Sequence, residues 1–488
     1  MRKILFLFLL LFRIQPRTWG QARLFGLRRT RCQSPMCSVL NRYLLFMVFV
    51  FPTNLAFAEE NYHHYTLACP FTTVTDMITL SELKDKVNSE AETEGEIRQI
   101  WVSEQAAREL STVFADLPTG KVTADIHEKI AMSDEGVSCA VIPLKDADPT
   151  MKLIHTEHTH FPWDDVYDPR SDPLAVPADD SDFDRNLAST LLITGTTALT
   201  RTVSYKMAQN GTLYPAELVK SVFDSSDITH ISNESSIWSL CPEPVLNNTS
   251  MQFCSRSDAI DVFDYLGVDV VELTGNHLRD YDWKPLSEML ELFDEKGYAY
   301  YGAGKNILTA ATPLFIEHNG NHFVFLGCNC AGPDHVYASE RLPGVQKCDF
   351  DRMEKEIRKY SAQGYLVIAT IQYFEIYSRT PSDIQKRDFQ RLSDAGAVIV
   401  SGSQQHYSQT MLPMENRFIH YGLGNLFFDQ MDVPVKGTRQ EFLDRYVFYD
   451  GRLLSVQLIT TLLYDYSRPS LMSDTEREDF LREIFSGM

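Results

Sequence analysis

Along much of the chain, short hydrophobic runs end abruptly in polar residues. In residues 268–282, Val268, Val270, Val271 and Leu273 predict a buried strand, because β-branched residues crowd a run too short for a helix. The run stops at Thr274-Gly275, and Asn276, His277 and Asp280 follow at once. Apolar residues at helical spacing from Leu286 to Phe293, closed by Lys296-Gly297, then predict a helix. An amide, an imidazole and a carboxylate at a strand end make a binding or catalytic corner. The bland alternative is a strand-to-helix turn with an incidental histidine.

The same grammar recurs. Residues 191–201 form a strand ending at Gly195-Thr196, and residues 227–234 one ending at Asn233-Glu234. Residues 370–375 bring Gln372 and Glu375, residues 398–406 bring Gln404 and His406, and residues 418–428 bring Gly424-Asn425. Hydrophobic strands that deliver polar residues at one end let a sheet build a shared site from distant sequence. Upstream, strands over residues 77–80, 95–102, 137–143 and 151–155, with a helix opening at Ser81-Glu82-Leu83, predict a small α/β domain. The acidic, proline-containing run Ser171 to Asp184 reads as its edge. Residues 148–177, DPTMKLIHTEHTHFP…DPRSDPLAVP, resemble a fragment of periplasmic solute-binding proteins. At the other end, Ser473 and Glu476 form a capping box before a helix whose apolar face is Phe480, Leu481, Ile484 and Phe485. The expected layout is a leader over 1–58, a small α/β domain over 59–186, a main domain over 187–465 and a C-terminal helix over 466–488.

Composition narrows the function. A chain of 488 residues implies two or more domains. A net charge of -21 argues against nucleic acid, whose phosphates need a basic face. Residues 1–42 carry arginines and no acid. The apolar run Tyr43 to Phe51 and Ala56-Phe57-Ala58 then predict a secretory signal peptide cleaved after Ala58, with an uncleaved membrane anchor as the alternative. A start at Met36 would give this leader an ordinary length, which N-terminal sequencing of the precursor tests. Either form exports the chain.

Seven cysteines follow Ala58 without a CxxC pair, so disulfides are expected, such as Cys241 with Cys254 and Cys330 with Cys348, and at least one free thiol. His127, His155, His158 and His160 lack an HExxH or a nearby cysteine and read as loop histidines rather than a metal site. Asn210, Asn233, Asn247 and Asn248 open glycosylation sequons of the kind that chance supplies. Gly302-Ala303-Gly304 reads as a turn, and no Gly-x-Ser-x-Gly or Walker motif occurs.

Taken in order, the strand-end segments resemble the CapA family, the capsule and poly-gamma-glutamate biosynthesis proteins of bacteria, over roughly residues 190–460. The resemblance implies an α/β fold with a two-sheet, calcineurin-like metallophosphoesterase core flanked by helices and metal ligands at strand ends. It also implies an anionic polymer such as poly-gamma-glutamate or a capsule precursor as partner, alongside membrane-bound capsule-synthesis proteins. Against the family pattern, Glu234, Asn276, His277, Asp280, Glu375, His406 and Gly424-Asn425 are kept. Thr196 stands where the family has aspartate, and Gln372, Ser403 and Gln404 stand for histidines.

A two-metal phosphoesterase needs a bridging carboxylate and several imidazoles, and neutral amides are poor substitutes for them. A tight dinuclear centre is therefore not expected. The remaining set allows one divalent cation, such as Mg²⁺ or Ca²⁺, on Glu234, Asn276 and a glutamine or His406. Without metal, His277 or His406 serves as general base, partnered by Glu234, Glu375 or Asp280. Thr196, Asn233, Asn276, Gln372, Glu375, Gln404 and Asn425 would then line the substrate surface, unless the glutamines only satisfy buried polar groups. Two functions follow: a polymer-binding assembly protein, or a hydrolase acting on an extracellular polymer or its linkage.

Overall fold

Side-chain parity along the strands explains the layers. In the strand Ala188–Thr197, Leu191 and Ile193 point one way and meet Phe323, Phe325, Ile368, Ile399 and Phe418 of a second sheet. Leu192 points the other way and joins Ile231 and Val271 beneath the helices Arg201–Asn210, Ile260–Leu266 and Trp283–Lys296. On the far side, Val324, Leu326, Val367 and Val400 pack under the helices Phe350–Ser361 and Asp383–Asp394. The result is helix, sheet, sheet, helix. Strands covered on both faces read as near-continuous hydrophobic runs, which is why the pattern revealed them.

This computed structural model describes residues 61–488 except 134, 135, 158 and 247. The leader with its cleavage and anchor alternatives, the Met36 start, His158 and the Asn247 sequon lie outside the described residues. The first sheet runs in the order Ala299–Tyr301, Val270–Glu272, Ile228–Asn233, Ala188–Thr197, Gln440–Tyr449, Arg452–Tyr464, Arg468–Leu471, with Asn425–Phe427 paired onto Ala188–Thr197. The second runs Leu314–His318, Asn321–Asn329, Leu366–Gln372, Ala397–Ser403, Arg417–His420, Met411–Met414. In the first sheet, strands Ala188–Thr197, Ile228–Asn233 and Val270–Glu272 are parallel, as are Asn321–Asn329, Leu366–Gln372 and Ala397–Ser403 in the second. Their carboxyl ends are where an open α/β sheet presents its ligand crevice.

Residues 61–178 form a third sheet built around Asn61–Pro70, a strand that its polar opening NYHHYT concealed. One face holds its own core around Leu67, Ile100 and Val141, and the other packs Ala140, Ile142 and Trp163 against Ala188, Val447 and Leu454. The helix Leu80–Asn88 is capped by Thr79, whose side chain accepts from the Glu82 N–H, two residues earlier than Ser81 would place it. His127 lies on the helical turn Ile126–Lys129, and His155 packs edge-on against Phe161. The capping box at Ser473 and Glu476 is reciprocal, and Phe480, Leu481 and Ile484 dock in the core between the sheets.

Three disulfides are present. Cys241–Cys254 forms as expected, and Cys69–Cys139 ties adjacent strands of the third sheet. The expected Cys330–Cys348 pair is corrected: Cys348 bonds Cys328, and Cys330 is free. Cys328 lies inside the strand Asn321–Asn329 and points into the helix-side core just ahead of Phe350, whereas Cys330 lies past the strand end. Burial pushes the Cys330 thiol up to about 12. Among the described residues no helix is long and apolar enough to cross a membrane.

Candidate functional site

The strand Ile228–Asn233 hands on directly to Glu234, whose N–H donates to the Thr197 carbonyl at 2.8 Å. Across from it, Ser235 bridges His277. Gly275 makes this approach possible, because a Cβ there would lie 2.3 Å from the Glu234 carbonyl oxygen. Gly275→Ala must therefore push the Glu234 backbone aside. It is expected to lower divalent-ion affinity at least about tenfold, by analogy with the loss of a ligand's supporting contacts. Unchanged affinity in a calorimetric titration would show that the approach does not matter.

Glu234 is 2% exposed, and neither of its carboxylate oxygens has a hydrogen-bond partner. Two imidazoles face it. His277 Nε2 and His406 Nε2 each stand 3.9 Å from Glu234 Oε1, too far for a hydrogen bond. Their other nitrogens are committed. His277 Nδ1 lies 2.6 Å from Asp280 Oδ2, and His406 Nδ1 lies 2.7 Å from Asn425 Oδ1. Asp280 can only accept, and the Asn425 amide nitrogen already donates to the His406 and Thr438 carbonyls and to Gln430 Oε1, so Asn425 Oδ1 accepts as well. Both rings thus carry a proton on Nδ1 and turn Nε2 toward the carboxylate. Burial alone would lower the His277 pKa, but the Asp280 hydrogen bond and the Glu234 charge raise it further, to a net upward shift.

Beside this trio lies a chain of neutral amides. Gln372 Nε2 donates to Asn276 Oδ1 at 3.0 Å and to Gln404 Oε1, while Asn329 Nδ2 donates to the Thr274 carbonyl at 2.7 Å and to Gln372 Oε1 at 3.3 Å. The Gln404 N–H donates to Thr196 Oγ1 at 3.3 Å. Gln404 and His406 sit in left-handed backbone, at φ 82° and 52°, a strain that non-glycine residues tend to carry at functional sites. Below the amides, Glu272 and Glu441 are buried carboxyls whose pKa values burial raises, Glu441 well above the ordinary range.

The structure thus gathers Thr196, Glu234, Asn276, His277, Asp280, Gln372, Gln404, His406 and Asn425 in one place. Two expected residues face elsewhere. The Asn233 side chain donates to the Ser235 carbonyl at 2.8 Å and packs on Met289 in the core. Glu375 is exposed at the rim instead: it accepts from the Tyr377 hydroxyl, which accepts from Gln430 Nε2 at 3.1 Å, and Gln430 is bonded to Asn425. Sequence reasoning missed Asn329, Gln430, Phe253 and Phe428. Of these Phe428 closed a recognised segment without being singled out, Gln430 lies two residues beyond it, and Phe253 was flagged by nothing but its neighbour Cys254.

The donor set decides which ions fit. One carboxylate with two imidazoles suits a single transition-metal ion. Among the described residues no group of three or more His, Cys, Asp or Glu is placed, as it stands, to hold a metal ion. Donors about 2.1 Å from a tetrahedral ion lie about 3.4 Å apart, so the 3.9 Å gaps would have to close by roughly half an ångström. Beside this set, the Asn276 and Gln404 side-chain oxygens are both taken up by the Gln372 amide.

Two facing sheets, outer helices and polar strand ends converging between them define a four-layer α/β protein. Residues 190–430 match the family described as bacterial capsule synthesis protein PGA_cap. The chain is 27% identical over 185 residues to the capsule biosynthesis protein CapA of Bacillus anthracis, covering 37% of this chain and 45% of that protein. It is 26% identical over 180 residues to the PGA biosynthesis protein CapA of Bacillus subtilis (strain 168), covering 36% and 47%. It therefore spans under half the length of these curated relatives. Among solved structures, a 5'-nucleotidase precursor from Thermus thermophilus is similar at 13% identity and a TM-score of 0.35, over 61% of this chain and 58% of that one. The Haemophilus influenzae NAD nucleotidase is similar at 10% identity and a TM-score of 0.34, over 61% and 56%. Over residues 190–430, just under half of its length, the chain is similar to the CapA family of bacterial capsule synthesis proteins.

Proposed function

We propose that this chain works in the biosynthesis of an extracellular anionic polymer such as poly-gamma-glutamate, binding the polymer at the sheet ends beside one divalent cation held by Glu234, His277 and His406. The observation that carries this reading is the buried Glu234 carboxylate, unpartnered and faced by two Nε2 atoms whose protons sit on the far side of each ring. Three electron-pair donors pointed at one another are unfavourable until a cation joins them. Such an ion would supply Lewis acidity toward a carbonyl or phosphoryl oxygen. Asp280 and Asn425 hold the two rings in the competent tautomer. The Asn276–Gln372–Gln404 chain presents neutral groups to a polymer's own amides and carboxylates.

A second reading, hydrolysis of the polymer or its linkage, is favoured by the 2.6 Å pairing of His277 with Asp280, an imidazole–carboxylate dyad. The test uses the purified full chain with Zn²⁺ or Mn²⁺ and labelled poly-gamma-glutamate. About one ion per chain and polymer binding that a chelator abolishes are expected. No ion, two ions per chain, or polymer binding indifferent to the chelator would overturn the proposal. Release of shortened polymer, lost in His277→Ala, would establish the second reading instead.

A further inference from the structure

A hydrogen bond at Nδ1 selects the tautomer of an imidazole but leaves the ring free to pivot about that bond. In this chain each of the two site histidines also lies against a phenyl ring. Phe253 stacks on His277 with centroids 3.9 Å apart and planes at 27°, and Phe428 lies on His406 at 4.4 Å and 33°. The two phenyl rings meet edge-on at 6.0 Å, and with Ala198 they form a small buried cluster of their own. Over both rings lies one guanidinium, the Arg201 Cζ being 4.6 Å from the Phe253 centroid and 5.2 Å from that of Phe428.

Each part is fastened separately. Arg201 pairs with Asp429, the residue after Phe428, and the same carboxylate accepts from the Thr202 N–H at 3.2 Å. The Phe253 N–H donates at 2.7 Å to the Asp280 oxygen that also holds His277. Cys254, next in sequence, closes the loop through its disulfide to Cys241. Arg201 is itself largely buried, and its Nε has no partner, so burial of the guanidinium is offset mainly by the ion pair and the two ring faces.

We infer that Arg201 is a positioning residue: by clamping Phe253 and Phe428 it fixes the planes of His277 and His406 and so sets the distance of both Nε2 atoms from Glu234. This rests on the single-cation reading above, but it makes a separate claim about what holds the rings. Stacked aromatic faces restrict rotation more tightly than one hydrogen bond does, and a planar guanidinium can lie over two such faces at once.

The experiment uses Co²⁺ as the probe on the full chain, followed by its visible absorption. Arg201→Met is expected to weaken Co²⁺ binding about 10–100-fold and to alter the absorption band, the range seen when a ligand's outer support is removed. Phe253→Leu, which leaves the Arg201–Asp429 pair in place, is expected to act in the same direction and serves if Arg201→Met does not fold. Thermal unfolding of the metal-free proteins checks that the fold is intact. A folded Arg201→Met with unchanged affinity and spectrum would overturn the inference.

A metal-free readout separates this claim from the cation itself. In chain labelled at histidine Cε1, ring currents should displace the His277 and His406 signals, and Arg201→Met should return both toward ordinary positions. If the unchanged chain takes up no Co²⁺ yet shows that displacement and its loss, the cation reading fails and the clamp stands. Displaced signals that persist in Arg201→Met sink the clamp.

Discussion

Glu234→Gln is expected to do two opposite things: weaken divalent-ion binding at least about 100-fold and raise the stability of the metal-free chain by about 1 kcal/mol. The first effect follows because a neutral amide replaces the carboxylate that faces both His277 Nε2 and His406 Nε2. The second follows because the carboxylate is 2% exposed and makes no side-chain hydrogen bond, whereas a glutamine amide can donate to either bare Nε2. Stability gained where function is lost is the mark of a site kept for its chemistry. Calorimetric titration with Zn²⁺ and urea unfolding of the metal-free forms measure the two. If the variant is less stable and binds the ion as before, Glu234 has a structural role that its lack of partners does not reveal.

The largest stability effect is expected between the two sheets, at His420 and Asp444. Both are fully buried, with His420 Nδ1 2.6 Å from Asp444 Oδ2, the Tyr446 hydroxyl donating to the same oxygen at 2.8 Å, and His420 Nε2 3.2 Å from the Gln409 carbonyl. His420 belongs to the second sheet and Asp444 to the first, so the pair pins their faces together. Asp444→Ala strands an imidazole and a phenol in the core and is expected to cost about 3–5 kcal/mol, read from urea unfolding. Replacing both partners with leucine should cost less, because no polar group is then left behind. A loss near zero for Asp444→Ala would mean that the sheets are held by their apolar contacts alone.

The fold was legible where the sheets are covered on both faces. Runs such as residues 191–193, 366–369 and 397–400 are apolar because neither side of those strands meets water, and the polar residues that follow each run lead to the crevice. The helix stop at Gly297 was equally plain, since its φ of 79° needs a residue without Cβ. The strand Asn61–Pro70 was not legible, because His63 and His64 find their partners Glu109, Asp180 and Asp182 only in the folded chain. Direction was the other blind spot. Asn233 and Glu234 are neighbours of similar chemistry, yet alternation along a strand sends one into the core and the other into the crevice. Strand length was a further one: the strand ends at Asn329, so Cys328 inside it reaches Cys348 and Cys330 beyond it does not. The phenyl rings behind the histidines carry no motif, since any buried phenylalanine looks like core until its neighbour is known.

The Cys241–Cys254 cystine gives the surroundings a say in whether the crevice is finished. The segment it closes ends at the ring lying on His277, so a polypeptide made among reducing thiols would complete its sheets and still leave that wall slack. On the proposed single-cation reading, competence for the ion would then arrive as a last, oxidative step of maturation. Material prepared without that step would look native in its secondary structure and behave as an inert form.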